Sequence, residues 1–252
     1  MIFAKHKLIQ YGYTIDTMGL INGDSGDIKY ADIILLPVPA TRDLVNINCT
    51  ITNRIIPLDI LKNRRPETRI FGGGKLPIDN YTDFLLSDEY AIKNAALTAE
   101  GAISYAIEHT DFSLWQSSIL VIGYGRVGKA LTKRLAAFAP NLTVSARSGR
   151  DFSTLDTLGI NHIKTSEISK SAKPFDIVFN TVDIKLDSSV AERLKGALFI
   201  DLASNGGFDG EYDGITYKKL PAIPGKTAPL TAGKIIAETV INLLDAKGEK
   251  YA

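Results

Sequence analysis

Three glycines that follow an apolar stretch have the spacing of a phosphate-binding turn. Gly123, Gly125 and Gly128 come directly after the apolar residues 119–122 and lead into a helical pattern. In a strand–turn–helix unit, the first glycine permits a tight turn, the second admits a pyrophosphate and the third lets the helix pack on the strand. The open amide groups at the start of the helix favour anions. The spacing predicts a dinucleotide site with these cofactor-binding residues: Gly123, Tyr124, Gly125, Arg126, Val127 and Gly128.

The next predicted strand, residues 142–146, ends without the acidic residue that is typical of an NAD site. Such an acid, about 20 residues past the glycines, binds the ribose 2′-hydroxyl. Here Arg147 and Ser148 follow the strand, with Arg150 close by. A guanidinium and a hydroxyl suit a 2′-phosphate, which an acid would repel. We therefore expect NADP(H) as the cofactor. The alternative is that Arg147 is a solvated charge and Ser148 a turn residue.

The residues that follow the later strands are further candidates, because ligands of open parallel sheets bind beyond the carboxyl ends of the strands. Additional cofactor contacts are expected from Asn180, Thr181, Ala203 and Pro224. Ser204 is expected to face a cleft between two domains. Residues 224–231, PGKTAPLT, are interpreted as a rigid loop whose amides, with Lys226 and Thr231, suit a carboxylate or a carboxamide. The alternative for this loop is that Thr231 simply caps the last helix.

Strand and helix patterns alternate along the chain. Apolar runs predict strands at residues 31–38, 69–71, 118–122, 142–146, 175–182 and 197–202, and a short edge strand at 215–220. Helical spacing predicts helices at residues 53–62, 90–109, 128–138, 152–158 and 231–245. Thr98 is expected to cap a helix, with Glu100 in its first turn, and Gly248 follows the last helix.

This order of elements predicts an α/β protein with a Rossmann-type doubly wound parallel sheet and a smaller, truncated flavodoxin-like α/β domain. The pattern breaks at residues 110–117, which sets the expected limit between domains. Residues 1–110 would form the substrate domain with a linker helix, and residues 111–230 the dinucleotide-binding domain. Residues 231–252 would form a C-terminal helix that packs back across both.

The composition excludes several classes of function. The 252 residues carry a formal net charge of +1, which gives no electrostatic case for nucleic acid or a membrane surface. Cys49 is the only cysteine, and the three histidines, His6, His109 and His162, show no metal-ligand spacing, so no metal site is expected. No apolar stretch reaches the roughly 18 residues of a membrane span, and the first residues lack the apolar core of a signal peptide. We therefore expect a cytoplasmic protein.

Several motifs together resemble one known family. They are VPAT at residues 38–41, LTAEGA at 97–102, AIEHTD at 106–111, GYGRVG at 123–128, ARS at 146–148, DLAS at 201–204 and PGKTAPLTAG at 224–233. In this order they resemble the A subunit of dipicolinate synthase from spore-forming bacteria, over roughly residues 20–245. Relative to that family the chain is N-terminally short: it would lack a leading strand and helix with a GGD-type glycine turn.

The resemblance implies an NADP-dependent dehydrogenase that oxidises a cyclic dihydrodipicolinate-type dicarboxylate to dipicolinate during sporulation. Its implied partner is a flavoprotein-like B subunit. Two substrate carboxylates need donors, for which Thr41 and Arg42 are the first choice and Lys226 the second. Glu100, His109 and Ser204 are the catalytic candidates. Four of these residues also have a plain structural interpretation. Arg42 would be a surface charge, and Glu100 an acid in the first turn of a helix. His109 would be a cation near a helix end, and Ser204 a hydroxyl in a turn.

Two other functions remain open from the sequence. The PGKTAPLT loop resembles the PGxxxPxT loop of methylenetetrahydrofolate dehydrogenases, although the tyrosine and lysine motif of that family is not evident in the first domain. A chain that kept the dinucleotide-binding half and lost substrate chemistry would be an NADP-binding sensor or scaffold, which the short N-terminus supports. Long helices could serve a homo-oligomer in either case.

Overall fold

The computed structural model describes residues 2–18, 27–49, 54–171, 174–208 and 212–246. The chain divides into two compact units. Met1–Lys93 and Pro229–Ala252 form the first, and Asn94–Ala228 form the second. These limits differ from the domain limits expected at residues 110 and 230, because the first boundary falls inside a long helix, Asp88–Glu108, and the second lies just before Pro229.

The two units are built from nine strands and seven α-helices in the described residues. The strands are β1 (Ile33–Leu35), β2 (Arg69–Gly72), β3 (Tyr81–Asp83), β4 (Ile119–Ile122), β5 (Leu142–Ala146), β6 (Asn161–Lys164), β7 (Ile177–Asn180), β8 (Leu198–Asp201) and β9 (Thr216–Lys219). The helices are α1 (Ile2–Gln10), α2 (Asp88–Glu108), α3 (Arg126–Leu135), α4 (Gly149–Thr157), α5 (Ser188–Arg193), α6 (Ile223–Thr227) and α7 (Pro229–Asp245).

The first unit contains a three-stranded parallel sheet in the order β1-β2-β3. Ile70 and Phe71 of β2, the central strand, are fully buried, whereas all three residues of β1 are half-buried. Strand β1 is therefore shorter and more exposed than the apolar run at 31–38 predicted. The helix expected at 53–62 is a 3-10 helix at Leu58–Asn63, and residue 53 lies outside the described residues. Strand β3 and helix α1 were not predicted.

Helices α1 and α7 pack closely together in this unit. A Cβ atom at Gly233 of α7 would lie 2.5 Å from the Cβ atom of Phe3 and 2.8 Å from the amide of Ala4, so this glycine permits the close approach. Helix α7 begins at Pro229, which suits the first turn because proline has no amide to donate. Thr231 is therefore inside the helix and does not cap it, and Gly248 lies outside the described residues.

Helix α2 is continuous over 21 residues. Thr98 lies in its interior, where the Thr98 hydroxyl donates a hydrogen bond to the carbonyl of Asn94 at 2.9 Å. The helix start expected at Thr98 is therefore wrong, and Glu100 lies in mid-helix. The first turn instead carries Asp88 and Glu89, where acidic residues complement the helix dipole.

The second unit is a Rossmann-type sheet of six parallel strands in the order β6-β5-β4-β7-β8-β9. Strands β4, β7 and β8 are buried along their whole length, as expected for parallel strands that helices cover on both faces. The strand order reverses between β4 and β7, and this switch point is where open α/β sheets bind ligands. The predicted α/β class with a doubly wound parallel sheet is confirmed. Strand β6 and the short helices α5 and α6 were missed.

No helix among the described residues is long and apolar enough to cross a membrane.

Candidate functional site

The glycine turn lies at the carboxyl end of β4, next to the switch point. Gly123 has a φ of +96°, a backbone conformation that side-chain-bearing residues rarely adopt. A Cβ atom at Gly128 would collide with the carbonyl oxygen of Gly123, so the third glycine lets α3 start directly against the turn. The hydroxyl of Thr181 donates to the carbonyl of Ile122 at 2.8 Å and braces the turn from β7.

The middle of the turn leaves room for a ligand. A Cβ atom at Gly125 would meet nothing within 4 Å, so the space above this residue is open. Gly125 is also the N-cap of α3 and has no side chain that could cap the helix, so no N-cap side chain occupies the space in front of α3. A helix N-terminus beside an open cradle fits the pyrophosphate of a dinucleotide.

A cavity of about 420 Å³ opens beyond the carboxyl ends of β5 and β6. Its charged lining residues are the cations Arg147, Lys164 and Lys185 and the acid Asp187, and all four are exposed. The opposite wall comes from residues 184–187, which follow β7. Volumes of roughly 300–1,000 Å³ are usual for small-molecule sites, so this cavity is large enough for the adenosine half of a dinucleotide.

Ser148 is the N-cap of α4. Its hydroxyl accepts a hydrogen bond from the Asp151 amide at 3.1 Å and donates one to the Asp151 carboxylate at 2.7 Å. The Ser148 hydroxyl therefore has partners in the first turn of α4, as a turn residue would, and its contact with a 2′-phosphate stays a prediction. Burial, and then the Asp151 charge, raise the pKa of Tyr124 in the glycine turn, so this carboxylate lies near the turn as well.

Asn180, at the carboxyl end of β7, is fully buried. Its amide nitrogen donates to the carboxylate of Asp201 at 2.8 Å and to the carbonyl of Val182 at 3.2 Å, and its amide oxygen accepts from the Val182 amide at 3.3 Å. The polar atoms of the Asn180 side chain therefore have partners within the protein, and the expected cofactor contact of Asn180 stays a prediction. Thr181 is only half-buried, but its hydroxyl is used within the turn.

The segment that follows β8 is tied down at several points. The Ala203 amide donates to Asp201 at 3.1 Å, and the Lys219 amine donates to the Ser204 carbonyl at 2.7 Å. The amide of Asn205 donates to the carboxylate of Asp183 at 2.9 Å. Ser204 is exposed, whereas Ala203 is buried, so the predicted Ser204 hydroxyl lies on a rigid segment at the carboxyl edge of the sheet.

The other two catalytic candidates occupy α2 and its end. Glu100 forms an ion pair with Arg134 of α3 at 2.7 Å, and 58% of its side chain is exposed. The ring of His109 stacks on Tyr105 with 3.7 Å between the ring centroids, and its Nδ1 atom lies 2.9 Å from the Tyr105 carbonyl oxygen. Both groups therefore have structural partners in the second unit, and their catalytic roles stay predictions.

Pro224 and Lys226 belong to the short helix α6, so the expected rigid loop is partly helical. Lys226 and Tyr105 line a small cleft of about 120 Å³ between α2 and the residues that follow β9. Gly101 of α2 makes this packing possible, because a Cβ atom there would lie 2.7 Å from the Thr227 hydroxyl. The contact between Lys226 and a substrate stays a prediction.

Thr41 and Arg42 lie in the loop after β1, in the first unit. The Thr41 hydroxyl donates to the Asp43 carboxylate at 3.2 Å and accepts from the Leu44 amide at 3.0 Å. Asp43 also accepts the amides of Val45 and Asn46 at 2.9 and 2.8 Å. The Thr41 hydroxyl thus helps to fold its own loop, which makes the exposed Arg42 the better carboxylate donor of the predicted pair.

Sequence reasoning missed Lys164, Asp201 and Tyr217. Lys164 could have been found if the short strand NHIK at 161–164 had been recognised, because the residue at the end of that strand must border the same edge as Arg147. No local signal marks Tyr217, whose partner Asp201 is 16 residues away. Among the described residues, no group of three His, Cys, Asp or Glu side chains is placed to hold a metal ion.

Comparison with known proteins gives one consistent result. No family model matches the chain. A curated relative, the A subunit of dipicolinate synthase from Bacillus subtilis (strain 168), is 32% identical over 240 residues, which are 88% of this chain and 81% of the relative. The crystal structure of the dipicolinate synthase A chain from Bacillus subtilis is 29% identical, with a TM-score of 0.86 over 99% of this chain and 94% of that one. The crystal structure of the A subunit from Bacillus halodurans is 26% identical, with a TM-score of 0.86 over 96% and 93%.

Proposed function

Because the chain belongs to the family of the dipicolinate synthase A subunit, we propose that it is an NADP(H)-dependent dehydrogenase that forms dipicolinate. The observation that carries this proposal is the open cradle at Gly125, in front of α3, on the same edge of the sheet as a cavity lined by cations. The substrate is a cyclic dihydrodipicolinate-type dicarboxylate. It loses a hydride and a proton to become an aromatic ring, and NADP⁺, when bound, accepts the hydride.

We assign the pyrophosphate to the first amides of α3 and the adenosine to the cavity of about 420 Å³. Arg147 and Lys164 would hold the 2′-phosphate, because charge-assisted hydrogen bonds from a guanidinium and an amine suit a phosphate dianion. The preference for NADP(H) over NAD(H) therefore rests on these two cations and not on Ser148. The Asp151 carboxylate, which accepts from the Ser148 hydroxyl at 2.7 Å, opposes a phosphate bound directly at Ser148.

The substrate roles follow from the side chains that have the right chemistry. Arg42 is the first candidate for a substrate carboxylate, with Thr41 supporting its loop, and Lys226 is the second candidate. Ser204 is the catalytic candidate whose position at the carboxyl edge of the second unit agrees with a ligand there. Glu100 and His109 remain weaker candidates for proton transfer, since each has a partner within α2 or α3.

A partner protein is supported by the name of the curated relative, which describes one component of a larger synthase. We propose that a flavoprotein-like B subunit shares the pathway with this chain in the cytoplasm of a sporulating cell. A homo-oligomer is a second candidate assembly, which a measurement of the mass of the purified chain in solution would reveal.

Turnover tests the proposal directly. The purified chain is given NADP⁺ and freshly generated dihydrodipicolinate precursor, with and without the B subunit, and NADPH absorbance and dipicolinate are both measured. We expect NADPH and dipicolinate to form in equal amounts. Dinucleotide binding without turnover in either mixture would instead support the sensor or scaffold function. Turnover of methylenetetrahydrofolate would support the function of a methylenetetrahydrofolate dehydrogenase.

A further inference from the structure

The carboxylate of Asp201 is buried at the carboxyl end of β8, next to the proposed dinucleotide site. The side chain is fully inaccessible to solvent, and its carboxylate accepts three hydrogen bonds from the protein. The Oδ1 atom accepts from the amide nitrogen of Asn180 at 2.8 Å and from the amide of Ala203 at 3.1 Å. The Oδ2 atom accepts from the hydroxyl of Tyr217 at 2.6 Å. Burial of a carboxylate is costly unless it is fully hydrogen-bonded, so these partners are tightly coupled to it.

The position of Asp201 determines how the Asn180 amide is oriented. An ionised carboxylate can only accept hydrogen bonds, so the NH₂ group of Asn180 must face Asp201. The amide oxygen of Asn180 then accepts from the Val182 amide at 3.3 Å, and the NH₂ group also reaches the Val182 carbonyl at 3.2 Å. Both polar backbone groups of Val182 are therefore held through Asp201.

Val182 in turn packs on the glycine turn. A Cβ atom at Gly123 would collide with the Cγ1 atom of Val182 and would lie 2.8 Å from the Thr181 hydroxyl. The segment after β8 packs closely against the Asp201 side chain, since a Cβ atom at Gly207 would lie 2.6 Å from the Asp201 carboxylate. Gly207 has a φ of +80°, so the backbone turns there in a conformation that glycine adopts easily.

We propose that Asp201 is a positioning residue that fixes the floor of the nicotinamide half of the site. In a doubly wound sheet the adenosine half lies on one side of the switch point and the nicotinamide half on the other. The cavity with Arg147 and Lys164 lies at the ends of β5 and β6 and reaches residues 184–187, so residues 181–183 and 203–207, directly after β7 and β8, are left for the nicotinamide. Asp201 controls both segments that follow these strands, residues 181–183 and 203–207, without reaching the ligand itself.

The inference rests on the proposed dinucleotide function and is tested by separating the two halves of the ligand. Calorimetry compares NADPH with 2′,5′-ADP, which contains only the adenosine half, and NADH with ADP as a second pair. We expect Asp201→Ala to weaken binding of the full dinucleotide by about tenfold or more. This corresponds to a loss of roughly 1.4 kcal/mol or more of binding free energy. Its affinity for the adenosine fragment should stay within about twofold of the wild-type value, which also shows that the domain is folded.

Two further variants give the test its controls. Asp201→Asn keeps one oxygen for Asn180 and Ala203, and the Tyr217 hydroxyl can accept from the new amide, so we expect most of the affinity to return. Asp176→Ala is the matched control, because Asp176 accepts from the Ser118 amide at 2.7 Å at the amino end of β7, away from the site. It should lower the melting temperature and leave both affinities unchanged.

The outcomes separate the positioning role of Asp201 from the proposed dinucleotide function. Equal loss of dinucleotide and fragment in Asp201→Ala, or no loss of either, would overturn the positioning role. If that variant fails to fold, Asn180→Leu removes the same link to Val182 and should show the same selective loss; unchanged dinucleotide affinity in Asn180→Leu would overturn the role as well. A wild-type chain that binds no dinucleotide at all would overturn the proposed function, and the inference with it.

Discussion

On the β5–β6 side of the carboxyl edge, Arg147 and Lys164 extend exposed cationic side chains over a cavity, whereas on the β7–β8 side Asn180 and Asp201 are fully buried. The exposed cations can contact a phosphate directly and need little support from the fold. The buried pair contacts only the protein and holds its backbone in place. The difference suggests that one side of the site binds its ligand by charge and the other by a preorganised surface.

The largest effects are expected at the glycine turn that both sides share. Gly125→Ala should fold with the wild-type melting temperature, because the new methyl group meets no protein atom within 4 Å. It should nevertheless weaken dinucleotide binding by about tenfold or more, since the methyl group fills the space of the pyrophosphate. Calorimetry with NADPH and thermal denaturation measure the two quantities.

Gly128→Ala serves as the contrasting variant. Its methyl group would collide with the carbonyl oxygen of Gly123, so both the melting temperature and the affinity should fall. If Gly125→Ala lost stability instead while binding NADPH normally, the space above Gly125 would not be the pyrophosphate site.

A smaller and more selective effect is expected at Arg147. Arg147→Ala should weaken NADPH binding by about tenfold, because a charge-assisted hydrogen bond to a phosphate contributes roughly 1.5–3 kcal/mol. NADH, which lacks the 2′-phosphate, should bind the variant nearly as well as the wild type. Lys164→Ala should show the same selectivity, and Lys218→Ala, on the exposed strand β9, is the charge-matched control. Equal losses of affinity for NADPH and NADH would show that Arg147 does not bind the 2′-phosphate.

Tyr217→Phe should affect stability more than binding. It removes one donor to Asp201 and leaves Asn180 and Ala203 in place, which costs about 1 kcal/mol of unfolding free energy. Dinucleotide affinity should change by less than about threefold. A loss as large as that of Asp201→Ala would mean that Tyr217, and not Asn180, transmits the effect of the carboxylate.

Tyr217 also gives this side of the site a pH dependence. Burial, and then its hydrogen bond to the negative Asp201, raise the pKa of the Tyr217 phenol above its ordinary value of 10.0. The folded state therefore retains this proton longer than the unfolded state. The stabilisation is complete below pH 10 and is lost as the pH rises further. Thermal unfolding between pH 8 and pH 11 should show a steeper loss of stability in the wild type than in Tyr217→Phe; parallel curves would contradict the coupling.

The sequence predicted the charged side of the site better than the buried side. The glycine spacing and the cations after a strand are local signals. The glycine spacing correctly indicated the Rossmann sheet, and the cations singled out Arg147, which lines the cavity and whose phosphate contact stays a prediction. The Asp201 network joins residues 16 to 21 positions apart, so only the tertiary fold brings them together. The start expected at Thr98 failed for a related reason: packing of α2 on the sheet outweighs the preference of threonine for a helix end.

The smallest effect is expected at Asp43, an exposed counterpart of Asp201 in the first unit. Hydrogen bonds from the Asn46 and Val45 amides hold the pKa of the Asp43 carboxyl well below its ordinary value of 3.8. The loop with Thr41 and Arg42 should therefore remain ordered at pH 4 and lose order only as the pH falls further. A carboxyl titration followed by nuclear magnetic resonance measures this, with Asp43→Asn as the variant; an ordinary midpoint near 3.8 would contradict the loop geometry.

The most direct test of the whole site is calorimetric titration of the wild-type chain with NADPH, NADH and 2′,5′-ADP under the same conditions. We predict that NADPH binds at least about tenfold more tightly than NADH, because only NADPH offers a phosphate to Arg147 and Lys164. We also predict measurable binding of 2′,5′-ADP to the same site, displaced by NADPH. Tighter binding of NADH, or no binding of either dinucleotide, would contradict the assignment of the carboxyl edge as an NADP(H) site.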